Sequence, residues 1–318
     1  MALRFFEILL EYHRRSCGEL HHLVGTILHN IGVVNLRAKR FDDALSHFER
    51  AVRVRRGALG RDHPDVAVSL VKVGIVQLLL QKFDVALQSF RDALSVRRHA
   101  LGHLHPSTAK VYNNIGCVHV EFNEMKEARR AFEAALDIQR NALCHQPNKK
   151  LLMFGAATTL CNLGCLYKSR EMHDQAIVVL EEAVLLQERA LGLSHYTVLA
   201  TMDVLADSHT KDGNFGGALR CYNTVYDRLS GENDIYATNQ TKQPFDIRKI
   251  HALAVILYKM NRMHYKQNDV ESSLDKLQKA LSLMNGCEDD KLIKLRKKVE
   301  AEIGQLEMEL ERSKLEWV

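Results

Sequence analysis

The chain has 318 residues, 46% of them apolar, with only four prolines and 17 glycines, which disfavours strand-and-turn architecture and fits two globular domains or one elongated helical array. No stretch approaches the roughly 20 uninterrupted apolar residues of a membrane span, and Arg4, Glu7 and Glu11 break the N-terminal apolar segment, so neither insertion nor a secretory signal is expected and a cytoplasmic protein is. The net charge of +5 is uneven: residues 1–150 carry 23 Lys/Arg against 15 Asp/Glu and residues 151–318 carry 21 against 24, which points to acidic partners for the first half.

The first predicted helix covers Ala2–Arg15. Behind it a two-helix unit recurs. Its first helix holds a small residue, at Gly32, Gly74, Gly116, Gly164 and Ala206, in steps of 42, 42, 48 and 42 residues. Two further anchors keep those steps: Ala44, Ala86, Ala128, Ala176 and Ala218, and Ala51, Ala93, Ala135 and Ala183. Glycine inside a helix costs about 1 kcal/mol relative to alanine, so a repeated glycine needs a repeated reason, and close approach of a neighbouring helix supplies it. The second helix starts at an Asp in several units and carries Ala-x3-Phe at Ala44/Phe48, Ala86/Phe90 and Ala128/Phe132, a small and a large residue one turn apart.

Similar connectors join the units: LGRDHPD at 59–65, LGHLHPS at 101–107, LCHQPN at 143–148 and LGLSHYT at 191–197. Leu-Gly stops one helix and proline suits the start of the next. His63 and His105 recur with the repeat and are expected to shape the connector rather than act as ligands or bases. Stepping back by 42 residues aligns Ala2 with Ala44, Phe6 with Phe48, Gly18 with Gly60 and His21 with His63. The chain therefore reads as beginning inside a repeat, with Ala2–Arg15 either a lone capping helix or the remainder of a longer unit.

The expected organisation is an array over 1–229, with units near 24–64, 66–106, 108–148, 154–196 and 198–229. A polar loop follows at 230–246, then a degenerate unit at 247–284 with Ser273 at the Ala44 position. A terminal helix over 288–318 has Leu292, Leu295, Val299, Ile303, Leu306 and Leu310 on one face; it reads as a polar-backed cap, a short coiled-coil segment being the alternative. The fold class is an all-α, right-handed superhelix of about five to six helix-turn-helix repeats with a C-terminal capping helix.

Candidate chemistry is sparse. Cys161 and Cys165 lie one turn apart without a second pair at ligand spacing, so the seven cysteines are expected to be mostly buried thiols and no metal or cofactor is expected. KDGNFGGAL at 211–219 has a glycine-rich look, but it falls at a turn between two helices of a unit. No nucleotide loop, nucleophile elbow or ligand set occurs, so no catalytic residue is assigned. Arg53, Arg55, Arg56, Arg61, Arg97 and Arg98 cluster on the second helices and their connector, and without interleaved aromatics they read as a solvated face rather than a nucleic-acid site.

With Leu163, Gly164 and Tyr167, the Ala-x3-Phe pairs give the tetratricopeptide pattern. The 42-residue unit, its LG-x-DHP-x-V connector and its Asn-x-Gly first helix resemble the repeats of kinesin light chains, a unit also found in nephrocystin-like proteins and beside nucleotide-binding switch domains. The light chains' N-terminal heptads have no counterpart here, and the connector motif decays by residue 196. The resemblance implies a non-enzymatic adaptor that binds extended peptides in a concave groove lined by first helices, within a motor or signalling complex, and the basic excess of the first half favours acidic ones. It also implies that an Asn two positions before the small residue contacts the peptide backbone. The matching positions are Asn30, Asn114 and Asn162, with Lys72 and Val204 in the other units; Lys72 would face an acidic side chain. The alternative is the repeat portion of a larger signalling or nucleotide-switch protein that contacts folded partners.

Overall fold

A computed structural model describes residues 2–231 and 247–315; most of the expected polar loop, 232–246, lies outside it. The chain divides into two compact units, Met1–Leu166 and Tyr167–Val318.

The first unit holds α1 (Ala2–Cys17), α2 (His22–Arg37), α3 (Phe41–Leu59), α4 (Pro64–Leu79), α5 (Phe83–Leu101), α6 (Pro106–Glu121), α7 (Met125–His145) and most of α8 (Lys150–Ser169). Each of α1 to α6 packs on the next helix in the chain, with α2–α3, α4–α5 and α6–α7 as the closest pairs. The second holds α9 (His173–Leu191), α10 (Tyr196–Lys211), α11 (Phe215–Gly231), α12 (Ile247–Lys266), α13 (Val270–Met284) and α14 (Asp290–Leu315), again packed in succession. This is an all-α repeat architecture of consecutive helix pairs.

The repeated glycines have the expected reason. A Cβ built on Gly32 or Gly74 would lie 2.7 Å from Cε1 of Phe48 or Phe90, so each aromatic ring lies directly against the first-helix backbone. Phe48, Phe90 and Phe132 are fully buried, as are Ala44, Ala86 and Ala128 one turn earlier. Burying one such ring contributes about 2–3 kcal/mol, enough to outweigh the propensity cost of the glycine it faces.

Two kinds of turn alternate. Between units, Gly60, Gly102 and Gly192 take φ of 86–94° after Leu59, Leu101 and Leu191. Three residues on, His63, His105 and His195 cap the next helix: each ring Nδ1 accepts from the N–H two residues later, at 3.1–3.3 Å, and Pro64 and Pro106 take the first helical position. The histidines do shape the connectors. Within units, Lys39, Gln81, Asn123 and Glu171 occupy the left-handed region, with φ near 58–59°, and Gly213 takes the same place in KDGNFGGAL. There Asn214 Oδ1 accepts from Gly217 N–H at 2.8 Å, and a Cβ on Gly217 would meet His209 Nδ1 at 2.7 Å, so turn and packing account for that glycine-rich segment.

Three expectations need correction. The second helices begin one residue before the Asp, at Phe41 and Phe83. Arg55 and Arg97 are buried, unlike Arg53, Arg56, Arg61 and Arg98. Arg55 donates to Asp65 O and Ser69 Oγ, both at 2.9 Å, and Arg97 donates to Ser107 O, so each guanidinium ties a second helix to the start of the next first helix. Gln139 and Gln187 are buried at the same repeat position. The cysteines are not mostly buried: only Cys221 is, while Cys17, Cys144 and Cys165 are exposed, because single thiols are small enough to sit on either side of a helix boundary.

Candidate functional site

Two residues advance a helix by about 200°, so a side chain two positions before the glycine points away from the Phe that the glycine faces. Asn30 on α2, Lys72 on α4, Asn114 on α6 and Asn162 on α8 share that position, and all four are half-buried. The structure divides them. Asn30, Lys72 and Asn114 make no side-chain hydrogen bond or ion pair with any described residue. Asn162 donates to Asn113 Oδ1 at 3.1 Å and lies 3.6 Å from Cys117 Sγ, tying α8 to α6.

Around Lys72 the first-helix face is apolar. Val68, Ile75 and Leu79 stand on the same stripe of α4, and Val68 and Leu79 are exposed. His29, beside Asn30, accepts or donates one bond with Ser69 Oγ at 3.2 Å and packs edge-on to Phe48. Burial first, then the charges of Arg55 and Lys72, push its pKa down to about 4, against an opposing pull from Asp65. At neutral pH the imidazole is therefore neutral, and Arg55 and Lys72 leave the spot positively charged.

The second unit's equivalents offer no unpaired polar side chain. Val204 carries no polar group, and Lys259, the matching residue on α12, pairs with Asp203 at 2.5 Å and lies over the Tyr222 ring. Lys168 pairs with Asp207. On α12, Asn261 takes the glycine position and Ser273 the alanine position on α13; Ser273 donates to Asn261, and Asn261 donates to Glu302 of α14 at 2.9 Å. A polar bridge thus joins the glycine and alanine positions while the buried Leu277 stands at the Phe position, the signal being the paired departure of both anchors from the repeat. Among the described residues no three His, Cys, Asp or Glu side chains converge as metal ligands, and no helix is long and apolar enough to cross a membrane.

The sequence matches the tetratricopeptide repeat family over residues 1–57, 23–99, 65–141 and 155–230. The chain belongs to the tetratricopeptide repeat family. No curated protein matches it. Among solved structures, this tetratricopeptide repeat protein is similar to BtubC (BKLC) from P. vanneervenii, at 16% identity and a TM-score of 0.63, over 77% of this chain and 96% of that one. A putative kinesin light chain with nearly identical repeats from Podospora anserina superposes at 17% identity and a TM-score of 0.55, over 65% and 95%. The apo form of RapI gives 14% and 0.55, over 81% and 97%. Identities this low speak to the fold alone, and that fold is generally a protein-interaction scaffold.

Proposed function

We propose that this tetratricopeptide repeat protein is a non-enzymatic, kinesin light chain-like adaptor that holds extended, preferentially acidic peptide segments across the first-helix face of α2, α4 and α6, in the cytoplasm. The observation that carries the reading is the row of Asn30, Lys72 and Asn114: half-buried polar side chains, one per first helix, without hydrogen-bond partners. Their polar atoms are left to water, and a peptide backbone can take the place of that water. An Asn offers both a donor and an acceptor to an extended backbone that has no strand to pair with. Lys72, with His29 neutral beside it, suits a carboxylate, and the basic excess of residues 1–150 steers acidic chains toward this part of the protein. Because the helices are already packed, the peptide bears most of the ordering cost, and modest affinity is expected.

Asn162 belongs to the row but would have to leave Asn113 to serve a ligand, so its contribution is smaller. Fluorescence polarisation against arrayed acidic, tryptophan-containing peptides tests the reading. Asn114→Ala and Lys72→Glu should each weaken a hit by about ten-fold, roughly 1.4 kcal/mol, and Asn162→Ala less. Raised salt should weaken it as well. Binding that ignores all three changes would move the contact to other surfaces and to folded partners.

A further inference from the structure

Arg53 and Arg56 of α3 and Arg61 of the connector behind it line one concavity of about 740 Å³ that opens between α3 and α5. All three are exposed, and none of their side chains makes a hydrogen bond or ion pair with a described residue. In the flanking units the matching positions neutralise one another. One unit back, Arg14 and Glu19 stand where Arg56 and Arg61 do, and they pair at 3.9 Å. One unit on, Arg98 Nε donates to His103 Nδ1 at 2.7 Å.

The side chains at this pair of positions therefore reach each other, and in the middle unit both are guanidiniums. Arg53 adds a third where the flanking units carry Glu11 and Ser95. Like charges this close repel, and a guanidinium keeps its proton rather than relieve the repulsion. An anion held among the three relieves it instead. Gly57 also lines the concavity, where the flanking units carry Arg15 and His99. Packing does not demand that glycine, since a Cβ there would meet only Leu20, at an ordinary 3.4 Å.

Guanidinium forks match phosphate oxygens two at a time, and a phosphate monoester brings close to two negative charges on a compact group. Asp62 and Asp92 line the same concavity and would repel a continuous polyanion such as a nucleic acid or an anionic bilayer, and none of the lining residues is aromatic, as base stacking would need. The two carboxylates suit a peptide whose phosphate goes to the arginines while its N–H groups or basic flanks turn to them. A concavity of this size takes several residues rather than a lone phosphate ion. We infer that it is a docking site for a phosphoserine or phosphothreonine segment of a partner protein. Arg56 and Arg61 clasp the phosphate and Arg53 steadies it. The site lies on the second helices, apart from the first-helix row, and does not depend on peptide binding there.

The test uses the full chain labelled with 15N and a capped Lys-phosphoserine-Lys peptide, whose net charge near zero keeps bulk attraction small. Arginine Nε–Hε signals should shift saturably, with a Kd below about 1 mM. Arg56→Gln and Arg61→Gln should each weaken binding about ten-fold, and the exposed Arg98→Gln should leave it unchanged. Lys-Ser-Lys and Lys-Glu-Lys peptides should bind about ten-fold more weakly or worse. All the substituted positions are exposed, and circular dichroism confirms that the variants are folded. Absence of a saturable shift, equal binding of Lys-Glu-Lys, or binding unchanged in both Arg56→Gln and Arg61→Gln overturns the proposal. So does inorganic phosphate that binds as tightly as the phosphopeptide, since the ligand is then a free anion. Tighter binding of a poly-thymidine oligonucleotide or a phosphatidylserine vesicle through the same arginines also overturns it.

Discussion

A Cβ placed on Gly116 would stand 2.5 Å from Cε1 of Phe132, closer than real side chains pack. Phe132 is fully buried and has no room to turn. Gly116→Ala gains about 1 kcal/mol of helix propensity but forces strain typical of overpacking, about 1–3 kcal/mol. A net loss of up to about 2 kcal/mol is expected in urea unfolding. Gly304→Ala, on α14 with nothing near its Cβ, should instead stabilise by about 0.5–1 kcal/mol. If both changes behave alike, close packing is not why the repeat keeps glycine.

The left-handed turn residues give a second contrast. Gln81 and Glu171 hold φ of 59° where the fifth repeat has Gly213. Left-handed backbone costs a residue with a Cβ roughly 1–2 kcal/mol, and Asn less. Gln81→Gly and Glu171→Gly should raise stability by several tenths to about 1 kcal/mol, while Asn123→Gly should be close to neutral. Thermal melts of the three variants decide the point.

Arg55 and Arg53 are two residues apart on α3, yet they should answer substitution very differently. Arg55→Met removes the guanidinium's bonds to Asp65 O and to the buried Ser69 Oγ and should cost about 2–3 kcal/mol. Arg53→Met, on the exposed side, should stay within about 0.5 kcal/mol. Arg55→Lys should not fully restore stability, because one ammonium nitrogen on a shorter side chain cannot serve Asp65 O, Ser69 Oγ and Thr26 Oγ1 together. Denaturant titrations of the three variants measure these differences.

His29 predicts a pH effect of definite sign. Its folded pKa of about 4 lies below the ordinary 6.5, so between these values the unfolded chain holds this proton and the folded chain does not. Stability from the neutral imidazole is therefore complete above about pH 6.5 and declines as pH falls toward 4. The loss between pH 7 and 4.5 should shrink by about 2 kcal/mol in His29→Gln. An unchanged pH profile in that variant would show that the ring is not shielded as described.

Most of the fold was legible because its causes recur. The Gly32, Gly74 and Gly116 series and the Phe48, Phe90 and Phe132 series are two halves of one contact, and the spacing revealed both. Gly60 and His63 were readable as a connector for the same reason. The roles of Arg55 and Arg97 were hidden because arginine is mostly exposed, and only the polar run Arg55, Arg97, Gln139 and Gln187 at one repeat position hinted at burial. For the candidate face, sequence supplied the shared position of Asn30, Lys72, Asn114 and Asn162. It could not show that Asn162 is taken by Asn113, because that bond joins helices 49 residues apart.

The glycine–histidine connectors make the boundaries between repeats interchangeable. Excising residues 61–102 would join Gly60 to His103 and recreate the sequence Leu-Gly-His-Leu-His-Pro, which already links α5 to α6. The helix α3 would then meet α6 in place of α4, apolar surface against apolar surface. Genetic loss or gain of one 42-residue block therefore leaves every cap and turn with its partner. Such a gene can change the length of its product by whole repeats while each remaining joint stays intact.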